Sequence, residues 1–105
     1  MNDKLKIKVT RDQLHVLYSL VNDSILLKPE DMLAKLIHCK MIEIHKKILL
    51  KWTYPQRKNT ITLTSAQAIA FWFMYHDCTD EILNSDPFLF STINPILTTI
   101  HQQYV

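Results

Sequence analysis

Apolar and polar residues alternate near the start of the chain. Leu5, Ile7 and Val9 face one way and Lys4, Lys6 and Lys8 the other. A period of two predicts a half-buried strand over 5–9, with lysines on the outer face that discourage edge-to-edge pairing with other chains. At Thr10 the pattern changes. Thr10-x-x-Gln13 is a capping box: the threonine oxygen accepts from the third helical N–H while the glutamine reaches back to the threonine N–H. Leu14, Leu17, Leu20 and Val21 then recur by threes and fours, a helical spacing that ends at Asn22-Asp23-Ser24.

Pro29 followed by Glu30 and Asp31 predicts a second helix start, because proline's fixed φ suits the first helical position and carboxylates suit the positive end of the helix dipole. No breaker follows until Thr53-Tyr54-Pro55, so the helix is expected over 29–52, about 24 residues. Leu33, Ile37, Met41, Ile44, Ile48 and Trp52 form its apolar stripe, which His38, Ile42, His45 and Leu49 widen toward half the circumference. Lysines occupy the remainder.

The motif then repeats. After a polar turn over 54–59, Thr60-Ile61-Thr62-Leu63 alternates as a β-branched strand, and Thr64-x-x-Gln67 is a second capping box. The helix it opens, Ala66 to Tyr75, is apolar all round, which predicts burial on every side. His76 to Asp80 is expected to end it in an acidic loop. The last segment, from Asp86-Pro87 onward, is helical in parts, and Pro95 either kinks that helix or starts another. At an offset of 54, Ile7 aligns with Ile61, Thr10 with Thr64, Gln13 with Gln67 and Leu17 with Phe71. The expected fold class is α+β, predominantly helical: β-α-α-β-α-α in one domain over 1–105, with half-repeats 4–53 and 58–105 and the two short strands paired under helices. An internal two-fold would make that pairing antiparallel.

Composition removes much chemistry. The 105 residues include no glycine. A P-loop, a dinucleotide fingerprint, a nucleophile elbow and an EF-hand loop each need glycine's backbone freedom, so none is present. Net charge is only +2, but it is unevenly placed. Residues 1–54 carry ten basic and six acidic groups, a balance of +4, and residues 55–105 carry two and four, a balance of −2. The start Met1-Asn2-Asp3-Lys4 is charged rather than an apolar signal core, no stretch reaches the roughly 18 apolar residues that would span a bilayer, and Cys39 and Cys78 lack metal-ligand spacing. The chain reads as cytoplasmic, with reduced thiols.

No catalytic constellation, metal site or cofactor motif is expected. His38, Cys39, Glu43 and His45 crowd one helix, but the two histidines stand seven residues apart, about 10 Å along the axis, and the four-residue step of a zinc helix is missing. His76-Asp77-Cys78 is adjacent in sequence, which is not how catalytic pairs are built.

Two binding readings follow. The segment 87–105 carries no Lys, Arg, Asp or Glu, and interface cores are likewise depleted in charge. It predicts a non-catalytic interaction or assembly module that forms a homodimer, with Phe88, Phe90, Ile93, Ile96, Leu97, Ile100 and Tyr104 as the contact residues and the aromatic helix 66–75 as a further contributor. The alternative is a nucleic-acid-associated protein. Lys40, Lys46, Lys47, Lys51, Arg57 and Lys58, with Trp52 and Tyr54 interleaved, would then lay a basic helix face and turn against phosphates and bases.

Overall fold

The computed structural model describes residues 4–54 and 56–104; the charged start at Met1-Asn2-Asp3, Pro55 of the polar turn and Val105 lie outside them. Strand β1 (Lys4–Thr10) leads into helix α1 (Arg11–Ile25), α2 (Met32–Thr53), strand β2 (Lys58–Thr64) and α3 (Ser65–Tyr75). A 3-10 turn at His76–Cys78 then precedes α4 (Thr79–Ser85) and α5 (Pro87–Tyr104). The fold is α+β and predominantly helical, with one two-stranded antiparallel sheet.

Both strands bury alternate residues, Leu5, Ile7 and Val9 on β1 and Asn59, Ile61 and Leu63 on β2. Their register runs from Lys4 opposite Thr64 to Thr10 opposite Lys58 and centres on Ile7 opposite Ile61. Those two residues are equivalents under the offset of 54, so a pseudo-two-fold axis passes between them. The capping boxes therefore sit at opposite ends of the sheet, and both are formed: Thr10 and Thr64 each accept from the N–H three residues on, and each glutamine accepts from its threonine N–H.

Helices α1, α2, α3 and α5 enclose a single hydrophobic core on the inner face of the sheet, built on Leu14, Leu17, Val21, Met41, Ile44, Ile48, Phe71, Ile93 and Ile100. Ser24 and Tyr75, near the far ends of α1 and α3, join in a buried hydroxyl pair at 2.7 Å, and the Ser24 hydroxyl also touches the Leu20 carbonyl at 2.9 Å. Where two helices turn into each other, His38 of α2 donates Nε2–H to the Ile25 carbonyl at 2.9 Å, satisfying an acceptor that the end of α1 leaves without a helical partner. No described residue has a positive φ, so the turns of this glycine-free chain avoid the region where glycine is favoured.

Four expectations need correction. Helix α2 starts at Met32 rather than Pro29, because the Asp31 carboxylate accepts from the Ala34 N–H at 2.7 Å and so supplies the cap that Lys28 lacks. The acidic loop is helical: Asp80 and Glu81 form the first turn of α4, where the dipole favours negative charge. The C-terminal segment is one helix that runs through Pro95, started by Asp86, whose carboxylate accepts from the Leu89 N–H at 3.1 Å. Helix α3 is not buried on every side, since Phe73 is 48 % exposed.

Candidate functional site

The apolar surface that a single chain leaves open lies along α2 and α3. Leu33 and Leu36 of α2 face Ile69 and Phe73 of α3 across an apolar groove of about 280 Å³. Leu33, read from its spacing as part of the buried stripe, is 60 % exposed, as is Leu36. Helices α1 and α3 flank α2 and cover Met41, Ile44 and Ile48, but none of the described residues covers the edge that carries Leu33. The surface continues at the turn between α1 and α2, where Leu26, Leu27 and Met32 are all largely exposed. A second groove of about 340 Å³ there shares Ile37 and Phe73 with the first.

Next to this apolar surface a polar network ties α2 to β2 and α3. Gln67, almost fully buried, completes its capping box and also donates Nε2–H to Glu43 Oε1 at 2.9 Å. The Lys47 ammonium donates to Gln67 Oε1 at 2.7 Å and to the Thr62 carbonyl at 2.6 Å. Lys40 closes the chain on the other Glu43 oxygen at 3.3 Å. The Gln67 amide first, and Lys40 after it, hold the Glu43 carboxyl below its ordinary range.

The sequence-derived interface residues divide between core and surface. Ile93, Ile96, Leu97 and Ile100 are buried in the core of one chain, and covered side chains are not available to a second molecule. Phe90 and Tyr104 are half-buried, and Phe88 is exposed. The charge-free helix is thus mainly core. The uncovered apolar residues sit instead on the helix with the lysines. Leu26, Leu27 and Leu36 lie off the regular stripe, and a pair of leucines in a turn before proline was the one signal that marked them.

The basic residues separate too. Lys51, Tyr54 and Lys58 line a trough of about 330 Å³ between the end of α2 and β2, and a second of about 320 Å³ continues it past Lys47 to Lys4. Lys40 instead faces Glu43, while Lys46 and Arg57 are exposed and line neither trough. Trp52 turns toward α1, its ring stacked on Tyr18 at 6.2 Å and 5.1 Å from His15, so it does not share a face with Tyr54.

The remaining chemistry-bearing side chains have structural partners. His45 donates Nε2–H to Asn22 Oδ1 at 3.1 Å. The His76 ring lies flat on Trp72 at 3.8 Å, donates Nδ1–H to the Trp72 carbonyl, and has Nε2 2.9 Å from Asp77 Oδ1. Cys78 Sγ faces the Met74 and Tyr75 carbonyls rather than His76, and burial, with Glu81 and Asp77 adding repulsion, pushes its thiol up. A thiol kept protonated is a poor nucleophile. Among the described residues no group of three His, Cys, Asp or Glu side chains could hold a metal ion, and no helix is long and apolar enough to cross a membrane. No protein family matches the chain, and neither a curated protein nor a solved structure does.

Proposed function

We propose that this protein is a non-catalytic interaction module that self-associates through the open face of α2 and α3. One observation carries the reading: Leu27, Leu33, Leu36 and Phe73 are exposed and line two joined grooves, with Leu26 and Met32 exposed in the adjoining turn and helix start. Scattered surface leucines are ordinary, but a contiguous apolar patch marks a site that another surface covers. The charge order along α2 favours a second copy as that surface. Glu30 and Asp31 stand at the start of the helix, and Lys35 and Lys40 follow within three turns. Two copies laid antiparallel about a two-fold near Leu36 set the acidic start of each beside Lys40 of the other. A two-fold contact has this self-complementary form.

Sedimentation equilibrium at tens of micromolar tests the proposal. The expected species is a dimer, which Leu36→Glu converts to monomer without loss of helicity. Lys40→Glu weakens the dimer, and adding Glu30→Lys restores it. A single 12.4 kDa species for the unaltered chain would end the reading.

A further inference from the structure

The trough along β2, on a different surface from the apolar face, has the chemistry of a polyanion site. We infer that it binds single-stranded nucleic acid. The outer face of the sheet is a regular array of cations and hydroxyls: Lys4, Lys6 and Lys8 stand opposite Thr64, Thr62 and Thr60, and Thr10 stands opposite Lys58. Alternate residues of a strand are about 6.7 Å apart, close to the separation of successive phosphates in an extended single strand. Lys51, one helical turn from Lys47, adds a second row along the α2 wall of the trough. Lys47 keeps its place by bonding to Thr62 and Gln67, so this wall is held in position.

The acids gather elsewhere. Asp23, Glu30 and Asp31 surround the turn between α1 and α2, and Asp77, Asp80 and Glu81 follow α3. The Ser24–Tyr75 bond joins those two helix ends, away from the capping boxes at the sheet. Asp12 is an exception, in the first turn of α1 beside Thr10 at the sheet, while Gln67 and Lys40 engage both oxygens of Glu43. The small net charge of the chain therefore conceals a basic sheet side. Tyr54, 77 % exposed at the mouth of the trough, offers a ring on which an unpaired base can stack. That ring favours a single strand over a duplex, whose bases are already stacked and paired, and over a lipid surface, which has none.

Fluorescence anisotropy of the full chain with a labelled twelve-residue oligothymidylate tests the inference, with a duplex of equal length, inorganic polyphosphate and phosphatidylserine vesicles as the other arms. Contact with about four phosphates makes affinity fall roughly fiftyfold between 50 and 200 mM salt. Lys51→Glu with Lys58→Glu is expected to lower affinity at least tenfold. Tyr54→Ala should weaken the oligonucleotide roughly fivefold or more and leave polyphosphate unaffected. Circular dichroism checks that each variant stays folded. Leu36→Glu should bind as the unaltered chain does, which separates this site from self-association. Absence of binding at 50 mM salt, equal affinity for duplex or vesicles, or indifference to the double reversal would each overturn the inference.

Discussion

Thr10 with Gln13 and Thr64 with Gln67 make the same reciprocal pair of hydrogen bonds, with distances of 2.9 to 3.2 Å in both. Their surroundings differ. The first box is at the surface, and the bonds of its glutamine side chain end at Thr10. The second has a buried glutamine whose oxygen also accepts from Lys47 and whose nitrogen donates to Glu43. The same sequence grammar thus serves as a local cap in one half and as a joint between α2, β2 and α3 in the other. The third long element of each half diverges in a comparable way. Helix α2 is rich in lysine and leaves Leu33 and Leu36 open, whereas the described part of α5 carries no charged residue except His101 when protonated and buries Ile93, Ile96, Leu97 and Ile100. Freedom from charge identified the better-packed helix. It did not identify the helix that leaves apolar residues exposed.

The largest effect expected from breaking this contrast is at Ile100. Its replacement by aspartate places an unpaired carboxylate in the core, a loss of about 4 kcal/mol or more that should leave the chain unfolded. The same change at Leu36 should leave urea unfolding nearly unaltered and act on association alone. Comparable losses of stability at the two positions would contradict the assignment of α5 to the core and of the α2 edge to the surface.

The capping boxes give a smaller difference. Gln13→Ala should cost about 0.5–1 kcal/mol, the ordinary value of a helix cap. Gln67→Ala also removes one of the two partners of Lys47 and of Glu43 and should cost roughly 1–2 kcal/mol in the same urea titration. Equal losses would mean that the network joining α2 to α3 adds nothing to the cap.

Two pH effects are smaller still and have opposite directions. Burial outweighs the Ser24 hydrogen bond and pushes the Tyr75 phenol well above its usual 10.0. The unfolded chain then releases that proton first, so the contribution is intact below pH 10 and declines as pH rises beyond it. Tyr75→Phe should flatten this alkaline limb while costing about 1 kcal/mol at neutral pH. Glu43, held below its ordinary 4.5, contributes above that pH and loses its contribution as pH falls through the lowered folded value. Glu43→Gln should flatten the acid limb of the stability profile, as equilibrium unfolding between pH 3 and 6 would reveal.

The two strands and both capping boxes were legible in the sequence because each depends on residues within a few positions of one another. Alternation sets which face of a strand is apolar, and a threonine three residues before a glutamine satisfies helix-end donors whatever packs above. The candidate site was only partly legible. The basic cluster around Lys51, Tyr54 and Lys58 stood out as a run, but its division from Lys40 and Trp52 depends on Glu43 and Tyr18, partners that the linear pattern does not reveal. Of the interface residues expected on α5, Ile93, Ile96, Leu97 and Ile100 are buried within one chain, while Leu33 and Leu36 of α2 are exposed. Composition reports how much greasy surface a chain possesses, whereas coverage depends on which neighbours approach each side.

The sequence by itself determined the elements, their caps, the exclusion of every glycine-dependent site and the sign of charge on the outer face of β1, since these are local properties of the backbone and its nearest side chains. The tertiary structure decided that Ile93 and Ile100 are core, that Leu33 and Leu36 remain open, and that Lys4 of β1 joins Lys47 and Lys51 of α2 beside β2. Those outcomes come from packing between residues distant in the chain, where shape and available neighbours, not periodicity, settle which side chains water can reach.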